Sequence, residues 1–310
     1  MSSEPPTHAA GAPATAIPAF VNPSAGSADA VTPVLERDAA FDVRPVTSPD
    51  SLADMIREAA AAGAARIVVS GGDGTIATAA AAVAHTPLQL AVIPGGTLNH
   101  FAKAHDLPTD PEQAARVARE GTVRPVDVGY ANDHLILNTS SVGAYTVFVR
   151  VRERLERAHI PYLLASLLAA IRVLLSPRRY ALAVEVDGER RVFRTPLIFI
   201  GVGERELSAP TLGGRIANGR RGLHVIIVLG RRRTGLLLLG LALAARGLRG
   251  ARTGPRHGVE SFIVDRFTIE VARPRVRIAV DGELVDTATP VEYLYERDAL
   301  NVVVPLDSGS

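Results

Sequence analysis

Three glycine-bearing turns each follow a run of hydrophobic residues: NPSAG (22–26), GGDGT (71–75) and PGGTLNH (94–100). Glycine lets the backbone approach a ligand closely, and a helix that starts after such a turn presents free N–H groups to an anion. In an open sheet of parallel strands, turns of this kind lie together at the carboxyl edge, where ligands bind. Each turn alone has an equally good structural explanation, but three at one edge predict a site for a polyphosphate.

An acid, Asp73, stands inside the second turn, where its charge would repel a phosphate. The repulsion is removed if Mg²⁺ lies between the two groups, because this ion typically joins one or two carboxylates to phosphate oxygens. The surrounding residues match neither the dinucleotide pattern G-x-G-x-x-G nor the P-loop with its lysine. We therefore expect Asp73 to anchor Mg²⁺ on a nucleotide. The structural alternative is that it caps the helix that follows.

The tetrapeptide VDGE occurs twice, at residues 186–189 and 280–283. Asp-Gly between alternating hydrophobic residues is a strong signal for a two-residue hairpin turn. The pattern therefore predicts a hairpin at both places, and by itself it does not distinguish Glu189 from Glu283.

Segments typical of strands and helices alternate from Ala19 to Val128, which predicts a parallel sheet covered by helices on both faces. The helix predicted at 51–63 has Ser51 as its expected N-cap and Gly63 as its end. The predicted strands are 19–23, 66–70, 88–94 and 123–130, and the other predicted helices are 75–85, 97–106 and 111–120.

The pattern changes near residue 131. Two predicted helices, 146–158 and 161–176, are followed by short alternating strands with turn signals. Strands of this kind predict an antiparallel sheet or sandwich. A helix-like insert at 234–249 interrupts them.

Length and composition divide the chain into three parts. At 310 residues the chain is long enough for two domains. Residues 1–18, MSSEPPTHAAGAPATAIP, lack a basic start and an apolar core, so we predict a disordered leader rather than a signal peptide. Residues 19–130 are then the nucleotide-binding α/β domain. Residues 131–310 are the β-rich domain, whose last strand is free to return to the first domain.

The composition also excludes several classes of protein. The chain has no cysteine, which rules out disulfides, zinc–thiolate sites and thiol catalysis and suits a cytoplasmic protein. Its longest apolar runs, 162–171 and 235–245, are shorter than the ~18 residues of a membrane-spanning helix, so we predict no transmembrane segment. Scattered arginines and only 5% aromatic residues predict that the protein binds no nucleic acid.

Charge and apolar runs together bear on contact with a membrane. Residues 1–140 carry a net charge of −7 and residues 141–310 one of +9, and almost all the basic residues are arginine. A basic half fits an anionic membrane surface or simply a solvated surface. The apolar segments 162–175 and 235–245, the second preceded by Arg231–Arg233, fit a membrane-facing wall or, more commonly, a packed core.

The stretch VVSGGDGTI (68–76), followed by PGGTLNHFAKAHDLP (94–108), resembles the diacylglycerol kinase catalytic domain of bacterial lipid kinases and of sphingosine and ceramide kinases. The resemblance extends over about residues 17–305. It implies a Rossmann-like three-layer α/β domain followed by an antiparallel β-sandwich domain, with ATP in the cleft between them. NAD kinases and phosphofructokinases are more distant relatives with a similar GGDGT turn.

Carried over motif by motif, the resemblance assigns ATP to the three turns and to a threonine that follows the second strand. The first turn, NPSAG, departs slightly from the family pattern N-P-x-S-G. The residues implied to bind the nucleotide are Asn22, Gly26, Thr47, Gly71, Gly72, Asp73, Gly74, Thr75, Gly96, Thr97 and Asn99.

The resemblance also implies roles for three further acids. Glu283 is the implied general base, which accepts the proton of the attacking hydroxyl group. Asp281, two residues earlier, belongs to the same implied catalytic segment. Asp127 matches a family acid at the end of a strand that faces the cleft. It either helps Asp73 to hold the metal ion or stabilises a turn.

Two positions depart from the family pattern. His100 stands where the family usually has aspartate, so it removes a carboxylate from the nucleotide network, donates to a phosphate or caps the next helix. In ANGRRGLHVIIV (217–228), Arg220, Arg221 and His224 stand at or near the acids that hold a structural Mg²⁺ in many bacterial members. Basic groups do not bind Mg²⁺, so we predict that this second metal site is lost.

The sequence as a whole favours an ATP-dependent lipid kinase that uses Mg²⁺, works in the cytoplasm and docks transiently on a membrane surface. Its acceptor would be the hydroxyl group of a lipid similar to diacylglycerol. Two alternatives stay open: a soluble phosphotransferase similar to NAD kinases, and a lipid- or nucleotide-binding protein with weak turnover. The sequence decides neither the lipid nor whether the protein forms a homodimer.

Overall fold

The structure of the protein is a computed structural model, and it describes residues 16–175, 180–206, 214–216, 218–229 and 259–306. The first part of the chain contains β1 (Ile17–Val21), α1 (Ala28–Glu36), β2 (Phe41–Pro45), α2 (Pro49–Ala61), β3 (Arg66–Gly71), α3 (Asp73–Val83), β4 (Gln89–Pro94), α4 (His100–Ala104), α5 (Pro111–Glu120) and β5 (Thr122–Ala131). The rest contains β6 (His134–Ile136), β7 (Thr139–Gly143), α6 (Ala144–Arg157), α7 (Tyr162–Leu175), β8 (Tyr180–Val186), β9 (Glu189–Thr195), β10 (Leu197–Val202), β11 (Leu223–Val228), β12 (Val259–Val264), β13 (Arg266–Val271), β14 (Arg275–Val280), β15 (Glu283–Ala288) and β16 (Val291–Val304).

The N-terminal part is a three-layer α/β arrangement around four parallel strands in the order β2-β1-β3-β4. Successive side chains of a strand point to opposite faces, so a strand buried on both faces is hydrophobic throughout. In β3, Ile67 and Val69 pack with α2 and α3 on one face, whereas Val68 packs with α1 and α5 on the other. The predicted parallel sheet with two covered faces is confirmed.

Helix α2 begins three residues earlier than the sequence predicts. Its N-cap is Ser48, whose side chain accepts the backbone N–H of Ser51 at 3.1 Å, while Ser51 Oγ accepts the Ser48 N–H at 3.0 Å. Ser51, the expected N-cap, is therefore the third helical residue of a capping box. The helix ends before Gly63, whose φ of +86° is the left-handed conformation expected after a helix.

Helix α4 is much shorter than the helix predicted over 97–106. Asn99 has a left-handed φ of +50°, and its Oδ1 accepts the backbone N–H of Gly96 at 2.9 Å. This bond closes a turn over 96–99 and delays the helix until His100. The third glycine-bearing turn is consequently longer than the sequence indicates.

The C-terminal part is a β-sandwich. One of its sheets is antiparallel and has the order β12-β11-β10-β7-β14-β15. The other sheet continues the parallel sheet of the N-terminal part through β16, β13, β8 and β9. Side chains of the two sheets share one buried core: Ile200 and Ile278 from the antiparallel sheet pack with Phe267 and Tyr293 from the continued sheet. The predicted sandwich is confirmed.

Strand β16 connects the two parts. Near its end it pairs in parallel with β4, through Asn301 and Val302, and near its beginning it pairs antiparallel with β13. Strand β5 pairs antiparallel with β16 along nearly the whole length of β16, with a shift of register between Glu296 and Leu300. The boundary expected near residue 131 stays a prediction: β5 ends at Ala131, but β16 pairs with strands of both parts in one sheet.

Helices α6 and α7 follow β7 and lie close to the predicted ranges. No helix in the described ranges is both long enough and apolar enough to cross a bilayer. The predicted insert at 234–249 and Arg231–Arg233 fall outside the described residues.

Candidate active site

The three glycine-bearing turns meet at the carboxyl edge of the parallel strands. Asn22 Nδ2 donates to Thr75 Oγ1 at 2.9 Å, which joins the first turn to the second. The backbone N–H of Gly95 donates to the carbonyl of Gly71 at 2.8 Å, which joins the third turn to the second. The residues that the sequence predicts to line one edge are therefore in direct contact.

Close packing between turns explains why several of these positions are glycine. A Cβ on Gly96 would lie only 2.8 Å from the Cα of Gly72, and a Cβ on Gly95 would lie 3.1 Å from the Cα of Gly71. Gly26 is different, because a Cβ there would meet only the Gly95 carbonyl, at 3.8 Å. Gly71, Gly95 and Gly96 thus serve first to bring the second and third turns together.

Asp73 is the first residue of α3, and Gly72 is the N-cap. No side chain caps this helix, so the alternative in which Asp73 is the cap is wrong. Its half-buried carboxylate has no hydrogen-bond or ion-pair partner within the part of the chain that the structure describes. The first turn of α3 therefore offers free backbone N–H groups and an unpaired carboxylate side by side.

Glu283 lies against the second turn although it belongs to the antiparallel sheet. It is the first residue of β15, and a Cβ placed on Gly74 would overlap its Oε1 and lie 3.5 Å from its Cδ. Gly74 is the second residue of α3, so this contact joins the two parts of the protein. It brings the predicted base next to the predicted nucleotide turn.

Asp281 has a different position, because its carboxylate is fully used by the backbone. Its Oδ2 accepts the N–H of Leu137 at 2.7 Å, and its Oδ1 accepts the N–H groups of Asn138 and Thr139, each at 2.8 Å. Burial raises the pKa of Asp281, and these three hydrogen bonds act in the opposite direction. The geometry makes Asp281 a positioning residue that fixes the turn carrying Glu283, rather than a group that contacts substrate.

The VDGE copy at 186–189 shows what the hydrogen bonds of Asp281 add. Asp187 and Asp281 have φ values of +51° and +47°, and the glycines after them are also left-handed, so both copies form the predicted hairpin turn. The carboxylate of Asp187, however, has no hydrogen-bond partner among the described residues. Within the described ranges, only the copy at 280–283 is held by side-chain hydrogen bonds to a distant segment of the chain.

Asp127 lies in a buried polar cluster at the junction of the two parts. Its carboxylate accepts hydrogen bonds from Arg221, from the hydroxyl of Tyr295 and from the backbone N–H of Asp298 at 3.1 Å. Arg221 also donates to Asp298 Oδ1 at 2.8 Å, and Arg215 Nη2 lies 3.7 Å from Asp127. We call this group, formed by Asp127, Arg215, Arg221, Tyr295 and Asp298, the Asp127 cluster.

The cluster perturbs its titratable groups. Burial by itself would raise the pKa of Asp127, but the hydrogen bonds from Arg221, Tyr295 and the Asp298 N–H outweigh it and hold the pKa below its usual value. Burial, together with the adjacent carboxylate, raises the pKa of Tyr295 to about 12. Nearby, burial and the guanidinium groups of Arg215 and Arg124 lower the pKa of His105 to about 3. The His105 ring is therefore neutral.

The remaining predicted residues lie at the same edge with fewer contacts. Thr47 follows β2, is exposed and donates through its hydroxyl to Ser51 Oγ at 3.1 Å. Thr97 is exposed in the third turn, and His100 is the exposed first residue of α4. The N-cap of α4 is Asn99, so the capping role considered for His100 is wrong.

Comparison with known proteins assigns the chain to a family. The model of the family described as the diacylglycerol kinase catalytic domain matches residues 17–131. A "Probable lipid kinase YegS-like" of Pseudomonas aeruginosa is 30% identical over 268 residues, which cover 82% of this chain and 81% of the relative. The chain belongs to the diacylglycerol kinase catalytic-domain family.

Two further similarities agree with this family. An uncharacterized protein of Synechocystis sp. is 27% identical over 245 residues, which cover 78% of this chain but 55% of the relative, so the chain spans little more than half of that protein's length. The crystal structure of a diacylglycerol kinase from Bacillus anthracis str. Sterne is 19% identical with a TM-score of 0.66, covering 93% of this chain and 96% of that chain. The structural likeness shows the two-domain fold.

Membership of a kinase family implies ATP and a divalent metal ion, and the residues present fit Mg²⁺ at Asp73. Mg²⁺ is usually held by one or two carboxylates together with phosphate oxygens and water. Asp73 has the one free carboxylate that this arrangement needs. No group of three or more acidic or histidine side chains that could enclose a metal ion occurs in the described ranges. Asp127 faces guanidinium groups instead, so the geometry gives no support to its predicted metal role.

The residues do not fit the structural Mg²⁺ found in many bacterial family members. The backbone N–H of Arg220 donates to Glu204 Oε2 at 2.8 Å, and the Arg221 guanidinium contacts both Asp127 and Asp298. A side chain thus supplies the positive charge at this junction. Sequence reasoning found Arg221 only as a departure from the family pattern and missed Tyr295 and Asp298, which carry no motif.

Proposed function

We propose that this protein is an ATP-dependent lipid kinase, which transfers the γ-phosphoryl group of ATP to a hydroxyl group of a lipid. The observation that carries the proposal is the contact between the Glu283 carboxylate and Gly74. It joins a candidate base to a turn suited to phosphate. The α/β part, residues 19–130, binds the nucleotide in this proposal, and residues 131–310 bind the lipid.

The three turns hold the triphosphate in this proposal. The N-terminus of α3 has free N–H groups and the positive end of the helix dipole, both of which favour an anion. Asn22, Thr75 and the third turn lie at the rim of the same crevice. Asp73 holds Mg²⁺, which supplies neutralising charge to the phosphate oxygens when it is bound.

Glu283 accepts the proton of the acceptor hydroxyl. As the hydroxyl oxygen forms its bond to the γ-phosphorus, the bond between that phosphorus and the bridging oxygen of ADP breaks, and the hydroxyl proton moves to a Glu283 oxygen. Asp281 keeps the turn of Glu283 in place through its bonds to residues 137–139. Asp281 and Glu283 therefore have different roles in this proposal, which explains why two acids so close in the sequence have different surroundings.

Transfer of radiolabelled phosphate from ATP to a bacterial lipid extract, with mass spectrometry of the labelled product, tests the proposal. We expect a labelled phospholipid that requires Mg²⁺. Glu283→Gln should lower turnover about 10²–10⁴-fold, the range of general-base catalysis, with little change in ATP affinity. Asp73→Asn should weaken binding of Mg²⁺-ATP.

Glu189→Gln is the matched control, because Glu189 ends the other VDGE copy, at 186–189, and is exposed in the β8–β9 hairpin. It should leave turnover unchanged. Near-normal transfer by Glu283→Gln, or ATP binding without consumption across the whole extract, would contradict the proposal. Equal activity towards soluble alcohols and NAD would instead favour the soluble phosphotransferase.

A further inference from the structure

Most of the large hydrophobic side chains that are exposed in the described ranges lie on one helix, α7. Six of the ten belong to it: Tyr162, Leu163, Leu164, Leu167, Leu168 and Ile171. The spacing of the five leucine and isoleucine residues, Leu163, Leu164, Leu167, Leu168 and Ile171, places them along one side of the helix, whereas Tyr162 lies towards the other side. We call this side the leucine face. Core packing, the commoner explanation of this apolar segment, does not account for these residues.

The opposite side of α7 is firmly packed on α6. Ala165 and Ala169, four residues apart, are completely buried. The Arg152 guanidinium of α6 lies 5.4 Å from the centre of the Tyr162 ring and 6.0 Å from that of Phe148, distances at which cation–π attraction operates. The helix is therefore held in a fixed orientation, and its leucine face is an outward surface of the α6–α7 hairpin.

The hairpin is also basic. Residues 144–175 contain five arginines, two glutamates and neither lysine nor aspartate, which leaves a net charge of +3. Arg150, Arg154 and Arg172 are exposed and form no ion pair within the described residues. An apolar strip on a hairpin that also carries exposed arginines fits an anionic bilayer surface. A second copy of the chain fits less well, because it would bring two hairpins of charge +3 together.

We propose that the leucine face of α7 docks flat on an anionic lipid bilayer, with the arginines of the α6–α7 hairpin contacting lipid phosphates. The 14 residues of α7 are about 21 Å long, too short to span the hydrocarbon core but sufficient for an interfacial helix. Helix α6 packs against β14 and β15, and β15 begins at Glu283. The α6–α7 hairpin, which carries the leucine face, is thus packed directly on the strand that carries Glu283. This inference rests on the proposed function only in taking the acceptor to be a lipid.

Vesicle co-sedimentation without nucleotide tests the docking. The vesicles are phosphatidylcholine alone and phosphatidylcholine mixed with phosphatidylglycerol, and the binding constant is measured at low and high salt. We expect wild-type protein to prefer the mixed vesicles. Leu163→Ser with Leu167→Ser, at positions 81% and 57% exposed, should weaken binding to them at least about tenfold. Arg154→Gln with Arg172→Gln should weaken it about tenfold at low salt and much less at high salt.

Val192→Ser is the matched control, since Val192 is 72% exposed on β9, outside the hairpin, and it should bind vesicles like the wild type. No binding to anionic vesicles, or equal binding by the leucine variant and the wild type, would overturn the proposal. So would a lower melting temperature of the leucine variant, because the face would then be covered within the protein. A wild-type dimer in light scattering that the leucine variant abolishes would mean that a second copy covers it.

The result of the vesicle assay does not depend on phosphoryl transfer. Glu283→Gln should bind vesicles like the wild type while it loses transfer. Vesicle binding without any labelled product would refute the kinase proposal alone. If the protein transfers phosphate in detergent micelles, and neither the leucine nor the arginine substitutions weaken vesicle binding, the docking proposal alone is refuted.

Discussion

Replacing Arg221 with methionine removes the guanidinium group that joins the two parts of the protein. The change deletes two hydrogen bonds to Asp127 and one to Asp298. The Asp127 carboxylate belongs to a residue that is only 4% exposed, and it keeps two donors, the Tyr295 hydroxyl and the Asp298 N–H. The variant therefore leaves a buried negative charge without its closest counter-ion, and the next guanidinium, that of Arg215, lies 3.7 Å away.

The expected loss in the free energy of unfolding follows from this geometry. Breaking a fully buried ion pair costs about 3–5 kcal/mol. The cost is smaller here because the Arg221 side chain is 44% exposed, so water already screens the pair. The two remaining donors reduce it further. We expect the free energy of unfolding, measured by urea denaturation at neutral pH, to fall by about 2 kcal/mol.

Arg277→Met is the matched control for this measurement. Arg277 makes the same two-bonded contact with Asp286, but the two side chains are 43% and 47% exposed. An exposed pair of this kind contributes little, so the control should lose much less stability than Arg221→Met does. Equal losses in the two variants would refute the reasoning that burial of Asp127 sets the cost.

The pH dependence provides a second check. In the wild type the folded-state pKa of Asp127 is lowered, so its contribution to stability is complete above its unfolded pKa of about 3.9 and is lost as the pH falls through the folded pKa. In Arg221→Met one of the groups that lower the pKa of Asp127 is gone, so this pKa should lie closer to the unfolded value than it does in the wild type. The deficit in the free energy of unfolding should be largest at neutral pH and should narrow as the pH falls below about 4. A deficit that does not change with pH would contradict this account.

Three other predictions follow from contacts of the site. Gly74→Ala places a methyl group where the Glu283 carboxylate lies, so phosphoryl transfer should fall about 10- to 100-fold with an unchanged melting temperature, and normal transfer would contradict the close approach. Asp281→Asn deprives the Leu137 N–H of its acceptor and should cost about 1–2 kcal/mol in urea denaturation, whereas Asp187→Asn should cost almost nothing, and equal costs would count against the positioning role. Addition of Mg²⁺ or EDTA should leave the melting temperature of the nucleotide-free protein unchanged, because Arg221 supplies the charge at the junction; a clear rise with Mg²⁺ would reveal a structural metal site.

The turns of the candidate site could be predicted because their signals are local. Glycines after a buried strand and before a helix predict turns at the carboxyl edge of the sheet, and the three turns meet there as expected. The exact helix limits could not be predicted in the same way. Helix α4 starts late because of one side-chain bond from Asn99 to the Gly96 N–H, a contact that no periodicity reveals. Helix α1 is not predicted, because Pro33 lies inside it and interrupts the helical pattern of the sequence.

Long-range contacts account for most of what the sequence could not show. The two VDGE copies are identical as turns, and only the hydrogen bonds of Asp281 to residues 137–139 make one of them part of the site. Likewise Arg221 reaches Asp127 and Asp298, which are far away in the sequence and belong to different strands. Pairs of this kind depend on the complete fold, so residue type and spacing alone give no sign of them.

The position of β16 has a consequence for synthesis on the ribosome. Strand β4 has one neighbour, β3, until Asn301 and Val302 arrive, about 200 residues later, to pair with Gln89 and Leu90. An unpaired strand edge readily captures other extended segments. The nascent chain therefore exposes this edge of β4 until residues 301 and 302 have been synthesised, and the parallel strands gain their neighbour on this side only then.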